Sequence, residues 1–201
     1  MSRKQTIVAS LLLVGCIAMP LAQRAPAQSD AGWVTLLDGS NMGDWNRVGE
    51  ANWRMQDGAV MADKKTGENP AYLVSKNSYK DFQIRAEVWV DTAANSGIFI
   101  RCSDPQKISS KDCYEVNIFD TRPDPSYGTG AIVNVAKVDP MPKAGERWNT
   151  LEITAQGPHL VVVLNGAKTA DAQDSKLPNG PFALQYGAGV VKWRKVQIKQ
   201  M

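Results

Sequence analysis

The residues of this sequence that could carry chemistry are acidic, cationic and aromatic side chains at alternate positions of three short segments. One face of residues 82–90 presents Arg85, Glu87 and Trp89, that of residues 97–101 presents Phe99 and Arg101, and that of residues 114–119 presents Glu115 and Asn117. If the segments are neighbouring strands in register, these side chains form one surface above an aliphatic core. Sugars fit such a surface, since their C–H faces stack on rings and their hydroxyl groups bond to polar side chains. The alternative is a solvated sheet face with charges paired across strands.

The third segment carries a pattern of acids, Glu-Val-Asn-Ile-Phe-Asp at 115–120. Glu115 and Asn117 share a face, and a bulge after Asn117 would turn Asp120 to that face as well. The spacing resembles the Glu-x-Asp-x-x-Glu strand of laminarinase-like glycosidases. Because Asn117 is not a carboxylate and the third acid is shorter, we do not expect double-displacement hydrolysis by two matched glutamates.

The elements that must position these residues are predicted to be strands. After the first 27 residues no long segment shows a sustained 3.6-residue apolar period, whereas short alternating runs recur between Gly, Pro, Asn and Asp clusters. Asp57-Gly58 and Asn165-Gly166 lie between such runs and predict tight hairpin turns. Roughly ten to twelve strands with short connections predict an all-β, two-sheet antiparallel sandwich or jelly roll.

One segment, residues 121–130, interrupts this pattern because it is long and rich in Pro and Gly. Loops of this kind on a rigid sheet often carry binding residues, so we expect it to border the site and to contribute Tyr127. The alternative is a structural crossover between the two sheets.

The N-terminal residues 1–27 have the pattern of an export signal, with Arg3 and Lys4 before a short apolar run. Cleavage after Ala27 would leave one domain, 28–201, in the periplasm or outside the cell. The alternative is a lipoprotein box ending at Cys16, with a lipid there as the predicted membrane anchor. The 27 residues hold three basic and no acidic side chains, so the chain's 23 basic and 20 acidic residues become 20 and 20. A neutral domain lacks the basic excess expected of a nucleic-acid binder.

In an oxidising compartment the remaining thiols, Cys102 and Cys113, are expected to form a disulfide around residues 103–112. The alternative is two unpaired thiols. The single histidine, His159, follows Gly-Pro at a predicted turn, so we expect a surface residue. Two Cys and one His do not make a zinc site, and one His with no Gly-x-Ser-x-Gly elbow argues against Ser/His/Asp catalysis.

Several motifs together resemble the 3-keto-disaccharide hydrolase family. They are Gly-Trp-Val-Thr-Leu-Leu-Asp-Gly at 32–39, Asp-Trp at 44–45, the 53–58 hairpin, Asn-Ser-Gly-Ile-Phe-Ile-Arg at 95–101, Tyr-Glu-Val-Asn-Ile-Phe-Asp at 114–120, Thr-Gly-Ala-Ile at 129–132, Arg-Trp-Asn at 147–149, Leu-Asn-Gly at 164–166 and Gly-Pro-Phe-Ala-Leu-Gln at 180–185. The resemblance implies a concanavalin A-like jelly roll that is exported and acts on glycosides oxidised at C3. Two departures are Asn117, where the family usually has Gln, and Tyr186-Gly187, where a His often follows.

The chemistry that this resemblance implies is elimination followed by hydration. A C3 ketone makes the C2–H acidic, the C1 oxygen then leaves, and water adds to the product. Such a route needs a base, a group that stabilises the enolate, and an acid. We assign Glu115 as the base, Arg101 as the enolate stabiliser or sugar clamp, and Asp120 with Asn117 as the groups that position hydroxyls. An Arg101–Glu115 ion pair across strands is the structural alternative.

The rest of the predicted substrate-binding set is Trp89, Phe99, Arg85, Glu87, Tyr127 and Gln185. The sequence assigns no definite cofactor, and a divalent metal on Glu115, Asp120 and Asp124 could replace Arg101 as the electrophile. The expected partner is a glycoside or glycan. Two other functions stay open: a noncatalytic carbohydrate-binding module of the same fold, and a surface protein that uses the polar face for a protein partner.

Overall fold

The computed structural model describes residues 31–201. The predicted signal sequence, 1–27, and Cys16 lie outside the described residues. No helix in the described part is long and apolar enough to cross a membrane.

Thirteen strands form within residues 31–201, because short alternating runs are separated by turn residues. They are β1 Val34–Asp38, β2 Asn46–Val48, β3 Arg54–Gln56, β4 Ala59–Ala62, β5 Ala71–Val74, β6 Phe82–Val90, β7 Ser96–Ile100, β8 Tyr114–Ile118, β9 Arg147–Gln156, β10 His159–Leu164, β11 Ala167–Gln173, β12 Ala183–Tyr186 and β13 Val191–Gln200. One 3-10 turn, Pro125–Tyr127, lies between β8 and β9.

The strands form two antiparallel sheets. The large sheet has eight strands in the order β11-β10-β9-β6-β13-β4-β3, with β1 also paired to β13. The small sheet has the order β2-β5-β12-β7-β8. The two predicted hairpin turns are confirmed: both residues of Asp57-Gly58 and of Asn165-Gly166 have positive φ, as the tight turn between β3 and β4 and between β10 and β11 requires.

The core lies between the sheets and is built from the inward-facing half of each alternating strand. In β6 every second residue from Phe82 to Val90 is buried. The small sheet supplies Ile98, Ile100, Val116 and Ile118 to the same cluster, as the alternation predicts. The prediction that β6 lies beside β7 and β8 is wrong, since β6 is central in the large sheet while β7 and β8 pair with each other in the small one.

The predicted disulfide is confirmed: Cys102 and Cys113 are bonded, with their Cα atoms 4.2 Å apart. Closing a loop of this length stabilises a fold by about 3 kcal/mol in the chain-entropy account. The bridge also holds the 103–112 loop against the outer face of the small sheet, where Ile108 packs on a second apolar cluster that contains Tyr72 and Phe99. This loop covers part of that face.

Candidate functional site

The outer face of the small sheet carries two rows of side chains that run across neighbouring strands. Strand register fixes them, because Gln185 pairs with Tyr72, Gly97 pairs with Asn117, and Phe99 pairs with both Ala183 and Glu115. Continuing the β12–β7 register by one step places Gln185 opposite Gly97. We call the group Tyr72, Gly97, Glu115, Asn117 and Gln185 the small-sheet site.

Gly97 leaves the middle of this site without a side chain. An added Cβ would lie 2.7 Å from the Val116 carbonyl oxygen, so the chain is too close to its neighbour for any other residue. The gap separates Gln185 on one side from Asn117 on the other. The floor of the site is therefore bare backbone with a polar side chain on each side.

Glu115 is the ionisable group of the site, and it is only 8% exposed. Burial raises the pKa of its carboxyl from 4.5 to about 7, against the opposing effect of the Arg122 guanidinium. No hydrogen bond from residues 31–201 reaches the carboxylate. A carboxyl group whose pKa lies near neutral pH is suited to act as a general base.

In the amide groups of Asn117 and Gln185, the nitrogen has a hydrogen-bond partner within residues 31–201 and the oxygen does not. Asn117 Nδ2 donates to the Tyr127 carbonyl oxygen at 2.8 Å, and Gln185 Nε2 points to the Tyr72 hydroxyl at 3.5 Å. The oxygen of each amide, Oδ1 and Oε1, is buried and has no hydrogen-bond partner. The site thus contains two unused acceptors.

The 121–130 loop contacts the small-sheet site through Asn117. It is attached through the Asn117–Tyr127 bond, and it brings the half-buried Arg122 close enough to affect the ionisation of Glu115. The ring of Tyr127 itself lies under the Lys137 ammonium, 5.6 Å from the ring centroid. Tyr127 therefore contributes its backbone carbonyl to the site.

The prediction that Arg101 faces Glu115 is wrong. Arg101 has φ +51°, which ends the alternation of β7 and turns the side chain away from the outer face. Its guanidinium donates to the carbonyl oxygens of Lys80 and Gly157, next to strands of the large sheet, and pairs with Asp81 at 3.3 Å. At 1% exposure it is a structural cation at one end of the sandwich.

Asp120 does not face the site either. Its carboxylate accepts from Thr129 Oγ1 at 2.6 Å and from the backbone N–H groups of Ala144 and Gly145 at 2.9–3.0 Å. The carboxylate holds two loops together, and its oxygens are occupied, which does not fit the predicted acid or hydroxyl-positioning role.

The predicted metal ligands are not assembled. Asp124 caps the 3-10 turn by accepting from the backbone N–H and hydroxyl of Ser126, which lowers the pKa of its carboxyl. Residues 31–201 contain no group of three His, Cys, Asp or Glu side chains placed to hold a metal ion.

Three predicted binding residues, Arg85, Glu87 and Trp89, lie on the outer face of the large sheet, away from the small-sheet site. Arg85 bonds to Gln197 and stacks over Trp33, Glu87 pairs with Arg194, and Trp89 lies under the Lys192 ammonium. The prediction that they share a face with Glu115 is wrong, because alternation indicates which residues share a face of a strand but not which sheet the strand joins.

Phe99 lies on the predicted face but is 1% exposed. It packs edge-to-face against Tyr72, with ring centroids 5.4 Å apart, beneath the disulfide-closed loop. It supports the site and offers no ring face to a ligand.

Sequence reasoning missed Tyr72 and Arg122. Tyr72 has the right alternation in β5, but nothing local in the sequence indicates that β5 joins β12.

Comparisons with known proteins show the family and the fold of this chain. The family model of the 3-keto-alpha-glucoside-1,2-lyase-like domain matches residues 32–199. No curated protein gives a significant match to the chain. Among solved structures, a candidate glycosyl hydrolase from Parabacteroides distasonis ATCC 8503 is 22% identical, with a TM-score of 0.66 over 84% of this chain and 99% of that chain.

Two further similar structures are a carbohydrate-binding module and a mannose-bound domain. The carbohydrate-binding module CBM66 from Bacillus subtilis is 14% identical, with a TM-score of 0.55 over 84% of this chain and 96% of that chain. The exoplasmic/lumenal domain of VIP36 in its Ca²⁺- and Man-bound form is 10% identical, with a TM-score of 0.57 over 85% and 90%. The predicted concanavalin A-like jelly-roll sandwich is confirmed by these similarities.

Proposed function

Because this chain belongs to the family of 3-keto-alpha-glucoside-1,2-lyase-like domains, we propose that it is an exported enzyme that cleaves 3-keto-glycosides by elimination and hydration. The observation that carries the proposal is Glu115, a buried carboxylate with a pKa of about 7 on the outer face of the small sheet. The predicted signal sequence supports export.

In the proposed reaction Glu115 removes the proton from C2 of the oxidised sugar. The C2–H electron pair moves toward the C3 carbonyl to give an enolate, and it then returns to form the C1–C2 double bond as the bond from C1 to the glycosidic oxygen breaks. The departing oxygen takes a proton, and addition of water across the double bond gives net hydrolysis. A positioned general base contributes typically 10²–10⁴-fold to such a rate.

Arg122 takes the place that the sequence analysis assigned to Arg101. Its positive charge opposes the pKa rise of Glu115, so it lies within electrostatic reach of the carboxylate. A guanidinium held near the base is suited to stabilise the negative charge that develops on the C3 oxygen. We therefore assign Arg122 as the group that stabilises the enolate.

The alternative function is a noncatalytic carbohydrate-binding module. The observation that favours it is the hydrogen-bonding character of the site, in which Asn117 and Gln185 have free acceptors while Asp120, the predicted acid, is occupied elsewhere. Structural similarity to CBM66 is in agreement with this alternative. In that case Glu115 would bind hydroxyl groups and no bond would break.

The proposal is tested by incubating the protein with a 3-keto-glucoside and measuring the aglycone that is released. The variant Glu115→Gln should lower kcat/KM by at least about 10²-fold, because the amide keeps the shape of the side chain and cannot take a proton. The matched control is Glu87→Gln, the same change on the large sheet, which should leave kcat/KM unchanged. In the wild type, kcat/KM should rise with pH through a pKa near 7, as the base ionises.

Wild-type turnover by Glu115→Gln would refute the assignment of the base. Saturable binding of the 3-keto-glucoside without any product would establish the binding module instead. If neither turnover nor binding occurs, the result favours the third function, a polar face that contacts a protein partner.

A further inference from the structure

The small-sheet site contains two buried acceptors that no group in residues 31–201 satisfies, Asn117 Oδ1 and Gln185 Oε1. Asn117 is fully buried and Gln185 is 5% exposed. A buried polar atom without a partner destabilises the folded state, and such atoms are uncommon in native proteins. Two of them on one face of one sheet therefore need an explanation.

Their placement is not that of isolated packing defects. Both amides point outward from the same row of the small sheet, and Gly97 on the strand between them has no side chain. Since adjacent strands lie about 4.8 Å apart, the backbones that carry the two amides are separated by roughly 10 Å. Backbones at that separation leave room for one small ring between the two side chains that they carry.

In each amide the buried atom without a partner in residues 31–201 is the oxygen. Asn117 Nδ2 donates to the Tyr127 carbonyl oxygen, which fixes the amide orientation, while Oδ1 accepts no hydrogen bond from the described residues. The amide nitrogen of Gln185 faces the Tyr72 hydroxyl, and Oε1 accepts none from this part of the chain. A ligand that satisfies both oxygens must therefore bring a hydrogen-bond donor to each side of the gap.

We propose that Asn117 and Gln185 are a hydroxyl-reading pair, which binds two hydroxyl groups at opposite edges of a single sugar ring seated over Gly97. The identification of the ligand as a sugar rests on the proposed function. A ketone oxygen has no proton to donate, so the oxidised carbon of a 3-keto sugar cannot face either amide oxygen. The pair thus orients the ring with its ketone away from both amide oxygens.

A structural role for the two amides would leave different traces. If Gln185 stabilised the fold, its loss would lower the melting temperature. If it is held unpaired for a ligand, an apolar side chain of the same length should leave the melting temperature unchanged or raise it, while ligand binding weakens. Stability and affinity then change in opposite directions.

The experiment is a coupling cycle with the variant Gln185→Met. The probe is methyl glucoside together with derivatives that lack one ring hydroxyl at a time, since unoxidised glucosides bind without undergoing elimination. Affinities are measured by calorimetry. We expect Gln185→Met to bind methyl glucoside about 10- to 100-fold more weakly than the wild type does. One deoxy derivative should bind the wild type more weakly than methyl glucoside does, by the same factor. The variant should bind that derivative and methyl glucoside equally well.

Gln197→Met is the matched control, because Gln197 is as deeply buried on the large sheet but has both ends of its amide occupied. Its Oε1 accepts from Arg85 and its Nε2 donates to Thr35 Oγ1 at 2.8 Å. This variant should lower the melting temperature and leave glucoside affinity unchanged.

Three results would overturn the pair: no saturable binding of methyl glucoside, additive losses for every deoxy derivative, or a fall in melting temperature of Gln185→Met with unchanged affinity. The outcome is separable from that of the proposed function. Coupling without turnover of a 3-keto-glucoside would support the Asn117–Gln185 pair and refute the proposed enzymatic function. Turnover without coupling would support the enzymatic function and refute the pair.

Discussion

The outer faces of the two sheets carry similar side chains in opposite states. On the large sheet Glu87 is paired with Arg194, and both ends of the Gln197 amide are bonded. On the small sheet Glu115 has no hydrogen bond from residues 31–201, and Gln185 keeps a free buried oxygen. Pairing stabilises a surface, whereas buried groups held without partners remain available to a ligand. Partner state, more than residue type, therefore identifies the candidate site.

The largest expected effect is that of replacing Arg101, which lies outside the small-sheet site and stabilises the fold. Arg101→Met removes a buried guanidinium and leaves the Lys80 and Gly157 carbonyl oxygens without their donor. We expect the free energy of unfolding to fall by about 4 kcal/mol, with kcat/KM of the folded protein unchanged. Denaturant unfolding and turnover of a 3-keto-glucoside measure the two quantities.

Arg101→Lys is the control, since it keeps the charge and loses the fork of donors; a smaller loss of stability is expected. A variant of Arg101 that folds with normal stability but has a lower kcat/KM would show that Arg101 acts in catalysis after all. It would also break the contrast between the two faces.

The second effect follows from the burial of Glu115. Its pKa in the folded protein, about 7, lies above the usual 4.5, so between these values the unfolded chain releases a proton that the folded chain keeps. Stability contributed by this group is fully present below pH 4.5 and is lost as pH rises through 7. The loss is roughly 3 kcal/mol, since each pKa unit is worth about 1.36 kcal/mol.

The difference in unfolding free energy between Glu115→Gln and wild type measures this effect, because other titrating groups cancel. The variant should be about 3 kcal/mol more stable at pH 8 and close to wild type at pH 4. The same titration of Glu87→Gln supplies the baseline for removing one carboxylate. If the difference in unfolding free energy does not change with pH, burial does not raise the pKa of Glu115.

Much of the fold could be predicted from sequence because its signals are local. Alternation in 82–90 indicates which residues of β6 enter the core, and Asp57-Gly58 indicates a tight turn. The Cys102–Cys113 bridge follows from two thiols close in sequence. Each of these features depends on residues within about a dozen positions of one another.

The candidate site could be predicted only in part, because it depends on pairing between distant strands. Alternation places Arg85 and Glu115 on one face of their own strands, but β6 joins β9 and β13 while β8 joins β7. The reversal at Arg101 has no sequence signal, since positive φ is usually marked by Gly or Asn and not by Arg. Arg122 and Tyr72 reach the site through a loop and through strand order, neither of which periodicity encodes.

The smallest expected effect tests whether the large-sheet face is as inert as its pairing indicates. Trp89 lies under the Lys192 ammonium, 4.7 Å from the ring centroid, and opposite Trp148 on β9. Trp89→Phe keeps an aromatic ring there, so we expect less than about 1 kcal/mol loss of unfolding free energy and no change in kcat/KM or in glucoside affinity. Thermal melting and calorimetry check both. Weaker glucoside binding by this variant would show that paired aromatic groups also contact the ligand, and the two faces would then differ in degree only.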